Sequence, residues 1–90
     1  MTTVTKTAIA NLSDDLLQLQ KPMYSSLTVA ILQQLLILEG YGTLPDGTNL
    51  PVTGNFLDET VTAVENFQQA MGLTVDGIVG ANTWAALVQN

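Results

Sequence analysis

Val75-Asp76-Gly77-Ile78-Val79-Gly80-Ala81-Asn82-Thr83-Trp84-Ala85-Ala86-Leu87 reads like an earlier stretch of the same chain, Val52-Thr53-Gly54-Asn55-Phe56-Leu57-Asp58-Glu59-Thr60-Val61-Thr62-Ala63-Val64. Laid one on the other, they share Val52/Val75, Gly54/Gly77, Thr60/Thr83 and Ala63/Ala86, and both keep apolar residues at Phe56/Val79 and Val64/Leu87. These are the residues that a turn entering a helix requires: a glycine able to take positive φ, an apolar plug, and a threonine in the first turn. Upstream, Leu32-Gln33-Gln34 answers Phe67-Gln68-Gln69, with a spacing to the glycine of 22 residues in the first copy (32 to 54) and 10 in the second (67 to 77). The pattern predicts an internal repeat of helix, glycine turn and helix, with the middle helix shared.

Working outward, Asp58-Glu59 precede Val61, Val64, Phe67 and Met71 at helical spacing, and Gly72 follows as a stop, so residues 58 to 71 are predicted helical. A short last helix over Asn82 to Val88 places Trp84, Leu87 and Val88 on one side. Before the repeat, Leu27 to Glu39 carries Leu27, Ile31, Leu35 and Leu38, with Leu32 and Leu36 alongside. That apolar set covers more than half the circumference and predicts a central helix, offered caps by Ser25 and Ser26 and closed by Gly40. Residues 41 to 55 hold three Gly and two Pro without helical period, which predicts a long loop. At the N-terminus, Ile9, Leu12, Leu16 and Leu19 keep the period of one helical face, and Ser13-Asp14-Asp15 is an alternative start for a shorter helix. Lys21-Pro22 ends it, because proline disfavours the α conformation of the residue before it.

Ninety residues and 9.6 kDa allow one small domain. Apolar residues make up 47% of the chain and charged residues 11%, against a usual share of about 25% charged, which is the composition of a chain that folds. Eight acids against Lys6 and Lys21 leave a net charge of −6 and no basic stripe, so nucleic acid is a poor partner. With neither Cys nor His, thiolate and imidazole catalysis, disulfides and most zinc chemistry are excluded, and no metal or cofactor is expected. The apolar run Val29 to Leu38 is interrupted by Gln33 and Gln34 and falls short of the roughly 20 residues of a membrane span. No secretory signal is read in Met1 to Ala10.

In Val29, Leu32-Gln33, Leu36, Gly40-Tyr41, Gly54, Phe56, Thr60, Ala63-Val64, Phe67-Gln68, Gly72-Leu73, Asp76-Gly77-Ile78-Val79-Gly80, Thr83-Trp84 and Leu87, the chain resembles the small helical peptidoglycan-binding domains of bacterial and phage cell-wall hydrolases. The whole register is kept over residues 29 to 87. The resemblance implies an all-α, three-helix, non-catalytic module running from 25 to 90, here with a long loop between the first two family helices; residues 1 to 24, the N-terminal helical extension read from its own spacing, lie outside the pattern. It implies peptidoglycan, glycan or stem peptide, as ligand, a cell-wall hydrolase as companion, and a cell-envelope or secreted setting. The chain departs from the family's pattern in three places. Thr53-Gly54-Asn55-Phe56-Leu57 lacks the acid and second glycine of the first turn, the loop before it is lengthened, and Ser25-Ser26 replace a glycine pair.

Each candidate contact has two readings. Asp76 and Asp46 each precede a glycine and read as turn acids bonding their own downstream amides, or as ligand-facing carboxylates. Asp46-Gly47-Thr48-Asn49 lacks the run of a calcium loop and reads as a solvated turn. Asn49 and Asn55 offer loop amides to a ligand, and Tyr41, at the mouth of the loop, packs its ring and presents its hydroxyl. Trp84 stacks on a sugar, or fills the core at the place that Val61 holds in the other copy. Gln68, with Gln33, braces a loop backbone from within, or meets ligand amides. Gly40, Gly54, Gly72, Gly77 and Gly80 are assigned to turns. Glycoside hydrolysis needs two acids about 5 to 9.5 Å apart across a bound sugar, and a 90-residue bundle has little room for that cleft, Glu65 and Asp76 notwithstanding.

The expected function is therefore recognition of cell-wall peptidoglycan through the 41 to 55 loop, the 73 to 80 turn and nearby helix ends. The alternative is a protein-interaction or assembly module that keeps the fold without wall binding and pairs through Ile9, Leu12, Leu16 and Leu19 with a second copy or with a partner helix. Thr, Gln, Asn and Ser supply 28 of the 90 residues, a neutral hydrogen-bonding surface suited to an amide-rich and hydroxyl-rich polymer.

Overall fold

The computed structural model describes residues 18–89. Among them are three helices, α1 (Leu27–Leu38), α2 (Asp58–Ala70) and α3 (Ala81–Gln89), and β structure only as isolated bridges. None of these helices is long and apolar enough to cross a membrane.

The helix ends are those that the capping residues predict. Ser26 is extended, and its hydroxyl accepts from Val29 N at 3.2 Å, capping α1. At the other end Tyr41 N donates to Leu36 O at 2.8 Å across Gly40, whose φ of 91° lies in the left-handed region. α2 closes the same way, with Leu73 N bonded to Gln68 O at 2.9 Å past Gly72. Asp58 and Glu59 occupy the first turn of α2, where the helix dipole favours carboxylates.

The inward face of α1 differs from the predicted one. Val29, Leu32, Gln33 and Leu36 are buried, whereas Leu27 and Leu38 are 78% and 71% exposed. A helix apolar nearly all round gives little directional signal, and the rotation is set by Gln33, whose amide is consumed inside. The core gathers Trp84, Phe56, Phe67, Leu32, Leu36, Leu87 and Val79 around α2, whose Ala63, Val64 and Phe67 are fully covered.

The predicted N-terminal helix does not extend through residues 18 to 20. Leu19 is 1% exposed in an antiparallel bridge, its N–H bonded to Val79 O at 3.0 Å and its carbonyl accepting from Val79 N at 2.8 Å. After the cis Lys21–Pro22 bond, Met23 makes the same pair of bonds with Phe56, at 3.3 and 2.8 Å. Leu19 and Met23, on either side of a bend at Lys21-Pro22, are thus each bridged to the residue two positions past one glycine turn, and Leu19 belongs to the core instead of to an outward helical face. Ile9, Leu12 and Leu16 lie outside the described residues. Truncating Leu19 to alanine is expected to cost about 2–4 kcal/mol, read from the urea midpoint at constant m, as for other buried leucines.

Ser25 has φ 51°, a region that a residue with a Cβ enters at a cost of roughly 1–2 kcal/mol. It stands where the resembled family has glycine, so Ser25→Gly is expected to raise the thermal midpoint. A fall in that midpoint would refute the assignment of strain to this residue.

The long loop has an internal order. Leu50 N donates to Gly42 O at 2.7 Å and Leu44 N to Thr48 O at 2.8 Å, flanking a Thr43–Asn49 bridge, so Gly42 to Leu50 is a hairpin closed on itself. Either side of it, Tyr41 and Pro51-Val52-Thr53-Gly54 correspond in order to Leu73 and Thr74-Val75-Asp76-Gly77 of the second turn. Leu50 is buried and anchors the hairpin to the core.

Candidate functional site

The two glycine turns are held from beneath by glutamines. A side chain amide carries two donors and an acceptor oxygen with two lone pairs, enough to replace the ladder bonds that an irregular turn lacks. Gln68, on the inner face of α2 and 1% exposed, accepts through Oε1 from Asp76 N at 3.2 Å and Gly77 N at 3.0 Å. The two N–H groups of its Nε2 serve three acceptors, one of them shared: Ile78 O at 2.9 Å, Asp76 Oδ1 at 3.0 Å and Thr83 Oγ1 at 3.1 Å. Gln33 makes the corresponding set: Oε1 accepts from Thr53 N at 2.9 Å and Gly54 N at 3.0 Å, and Nε2 donates to Asn55 O and Thr60 Oγ1, both at 3.0 Å. Gly54 and Gly77 have φ of 79° and 70°, and a Cβ on Gly54 would stand 3.0 Å from Ser26 O. Gln33 and Gln68 are thus structural braces, and Gln68 has no amide atom to offer a ligand. Their neighbours Gln34 and Gln69 are exposed.

Among the described residues, clefts open at three places around this frame. The first, about 310 Å³, lies over the second turn and the start of α3, between Gln18, Leu73, Thr74, Asp76, Ile78 and Asn82. Asp76 Oδ1 holds Ile78 N at 2.9 Å as well as Gln68, so the turn reading of this acid is realised while the residue stays exposed at the cleft wall. Apolar Leu73 and Ile78 beside amides, a hydroxyl and one carboxylate form a surface for a polar, uncharged or partly cationic group.

The second cleft, about 300 Å³, lies between the hairpin and the start of α2, lined by Leu44, Pro45, Asp46, Asp58, Glu59 and Thr62. Asp58 is ion-paired with Lys21, which raises the lysine pKa chiefly through their hydrogen bond and then through charge attraction. Asp46 Oδ1 accepts from Thr48 Oγ1 at 2.6 Å and Thr48 N at 3.0 Å. The hydroxyl bond, then the backbone bond, hold its carboxyl below the ordinary 3.8. Because the folded carboxyl is the stronger acid, this contribution to the hairpin is complete above about pH 4 and is lost as pH falls through the lowered value. Thr48→Val removes one of the two bonds and is expected to move the Asp46 midpoint upward in an NMR titration; an unchanged midpoint contradicts the assignment.

The third cleft, about 410 Å³, lies between the hairpin and the C-terminal end of α1, lined by Ile37, Gly40, Gly42, Thr43, Asn49 and Leu50. The 41 to 55 loop and the 73 to 80 turn, expected to share one surface, line separate clefts with no residue in common.

The remaining candidates are scattered. Tyr41 is half-buried and meets Phe67 edge-on, the ring centroids 5.3 Å apart at 84°. Asn55 Oδ1 accepts from Ser25 N at 2.9 Å and ties the first turn to the start of α1. Trp84 is 1% exposed and presents no face to a sugar, so the core reading holds and the stacking reading does not. Gly40, Gly54, Gly72 and Gly77 have positive φ, and Gly80 does not. Gln18, Thr74 and Asn82, which line the first cleft, carry no pattern that singles them out in sequence.

The sequence model of the peptidoglycan binding domain family matches residues 25–87. This chain belongs to that family. The peptidoglycan-binding domain is also similar to a solved structure, the crystal structure of SleB N-terminal domain, with 34% identity and a TM-score of 0.69 over 81% of this chain and 90% of that one. Comparison with curated proteins finds no match. The bridge that brings Leu19 into the core of the peptidoglycan-binding domain comes from outside the matched stretch.

Proposed function

We propose that this domain is a non-catalytic module that holds a wall-associated protein on bacterial peptidoglycan, with a cell-wall hydrolase as the natural companion activity. The family match over residues 25–87 carries the reading. The first cleft supports it, since its amides and hydroxyl surround apolar Leu73 and Ile78 on a rigid turn braced by Gln68. The mechanism is adhesion: the turn is pre-organised, so little ordering cost falls on binding.

A net charge of −6 repels an anionic wall, so attraction rests on hydrogen bonds and apolar contact. Screening shortens from about 10 Å at 0.1 M salt to about 3 Å at 1 M. Retention on insoluble peptidoglycan is therefore expected to rise with salt, the opposite of a basic wall binder. Absence of retention at every salt concentration removes the proposal.

A further inference from the structure

The third cleft differs from the other two in charge. The first carries Asp76 and the second Asp46, Asp58 and Glu59, whereas none of the six residues of the third is ionisable. It is also made by a segment that the second turn lacks, the self-closed hairpin Gly42 to Leu50.

Its chemistry is that of a neutral amide site. Leu50, buried, and Ile37 give an apolar floor. Thr43 and Asn49 face each other as a pair that exchanges no hydrogen bond with each other, because the ladder bonds are those of Leu44 with Thr48 and of Leu50 with Gly42. In such a pair the N–H and C=O groups turn outward along the hairpin edges. The side chain amide of Asn49 is exposed and bonds no described residue. An ionised ligand would lose hydration there without a partner of opposite charge. A methyl beside an amide matches both halves of the lining, the methyl on Leu50 and Ile37, the amide on Asn49 and the hairpin edge. The volume lies within the roughly 300–1,000 Å³ of small-ligand sites.

We propose that the groove between the hairpin and the end of α1 is a second binding site, which takes the acetamido group of an N-acetylated sugar in a glycan strand. This rests on the wall-binding reading and adds to it a site and a ligand class. A plain sugar hydroxyl leaves the apolar floor uncovered, so the acetamido group is the discriminating feature.

The test is an NMR titration of the full chain with a β-1,4-linked N-acetylglucosamine tetramer, and with cellotetraose, which has the same linkage and a hydroxyl in place of each acetamido group. The expected result is a shift of the Gly42 and Thr43 amides and the Asn49 side chain signals with the acetylated tetramer, and none with cellotetraose. Asn49→Ala, at an exposed position, is expected to weaken the response roughly fivefold, the loss of one hydrogen bond. Thr43→Tyr is expected to abolish it by filling the groove. Each variant is checked for an unchanged circular dichroism spectrum. Equal shifts with both tetramers, shifts confined to Asp76 and Asn82, or no shift at all overturn the proposal. So does a response of the same size to an alanine dipeptide, which offers a methyl and an amide without the sugar. Retention on insoluble peptidoglycan, measured on the same samples, reports separately on wall binding: a wild-type chain retained but silent in the titration loses this site and keeps the proposed function.

Discussion

Replacing Gln68 by leucine is expected to lower the unfolding free energy by about 3 kcal/mol or more, while Gln69→Ala, one residue along the same helix, changes it by less than about 0.5 kcal/mol. The asymmetry follows from what each side chain touches. Gln69 is exposed. Gln68 is the partner of Asp76 N, Gly77 N, Ile78 O and Thr83 Oγ1, and Gly77 and Thr83 are themselves buried. Leucine matches the volume and satisfies none of these groups, each of which then bears a desolvation penalty of about 1–3 kcal/mol when water cannot reach it. A domain of this size has roughly 5–14 kcal/mol in total, so one residue removes a large share. Urea denaturation followed by circular dichroism measures the loss, and faster exchange of the Gly77 amide locates it. Equal stability of the two variants would show that water replaces the brace at no cost.

Trp84→Ala is expected to cost about 3–5 kcal/mol, the usual range for removing a fully buried large aromatic. The side chain is the largest of those buried below 2% exposure, so the space left behind is wide. Its indole Nε1 has no hydrogen-bond partner among the described residues. That orphan donor makes a sharp contrast available. Trp84→Phe shortens the ring system and also deletes the unsatisfied group, so its cost is expected to stay below about 1.5 kcal/mol. Trp84 is the one tryptophan of the chain, so both variants are followed by circular dichroism instead of fluorescence. A phenylalanine variant as damaged as the alanine variant would mean that the indole nitrogen is bonded in solution.

Much of the frame was legible in the residues. Ser26, Gly40, Asp58-Glu59 and Gly72 mark helix ends by local chemistry, and local chemistry is what a sequence displays. The matching of Gln33 and Gln68, each before a glycine turn with a threonine beyond it, made buried braces readable even though polar residues usually face water. The face of α1 was not readable, because nine of its twelve residues are apolar and periodicity then has no preferred direction. Leu19 escapes a reading by periodicity for a different reason. Its spacing from Leu16 and Leu12 fits a helix, yet its partner is Val79, sixty positions away, and a pairing at that separation leaves no local trace. Among the site residues, Asp76 and Asp46 make the turns that Asp-Gly dipeptides announce. Asn49 and Asn55, both offered as ligand amides, part company only in three dimensions: one is bonded to Ser25 N, the other lines a groove. The clefts themselves depend on which loops overhang which helix ends, information that no single segment holds.

The closure of the hairpin between Gly42 and Leu50 has a consequence for how this domain can change. Tyr41 and Pro51 correspond to Leu73 and Thr74, which are consecutive in the chain, so the frame accepts a direct passage at the same point. The bond from Leu50 N to Gly42 O brings the ends of the extra segment together before it returns to the core. Lengthening a loop whose ends already meet costs little, about 0.6 kcal/mol per doubling. Position 42 to 50 is thus an exchangeable cassette: with Leu50 retained as its anchor, other peptide loops can be grafted there, and the scaffold can display a new recognition surface without renegotiating its core.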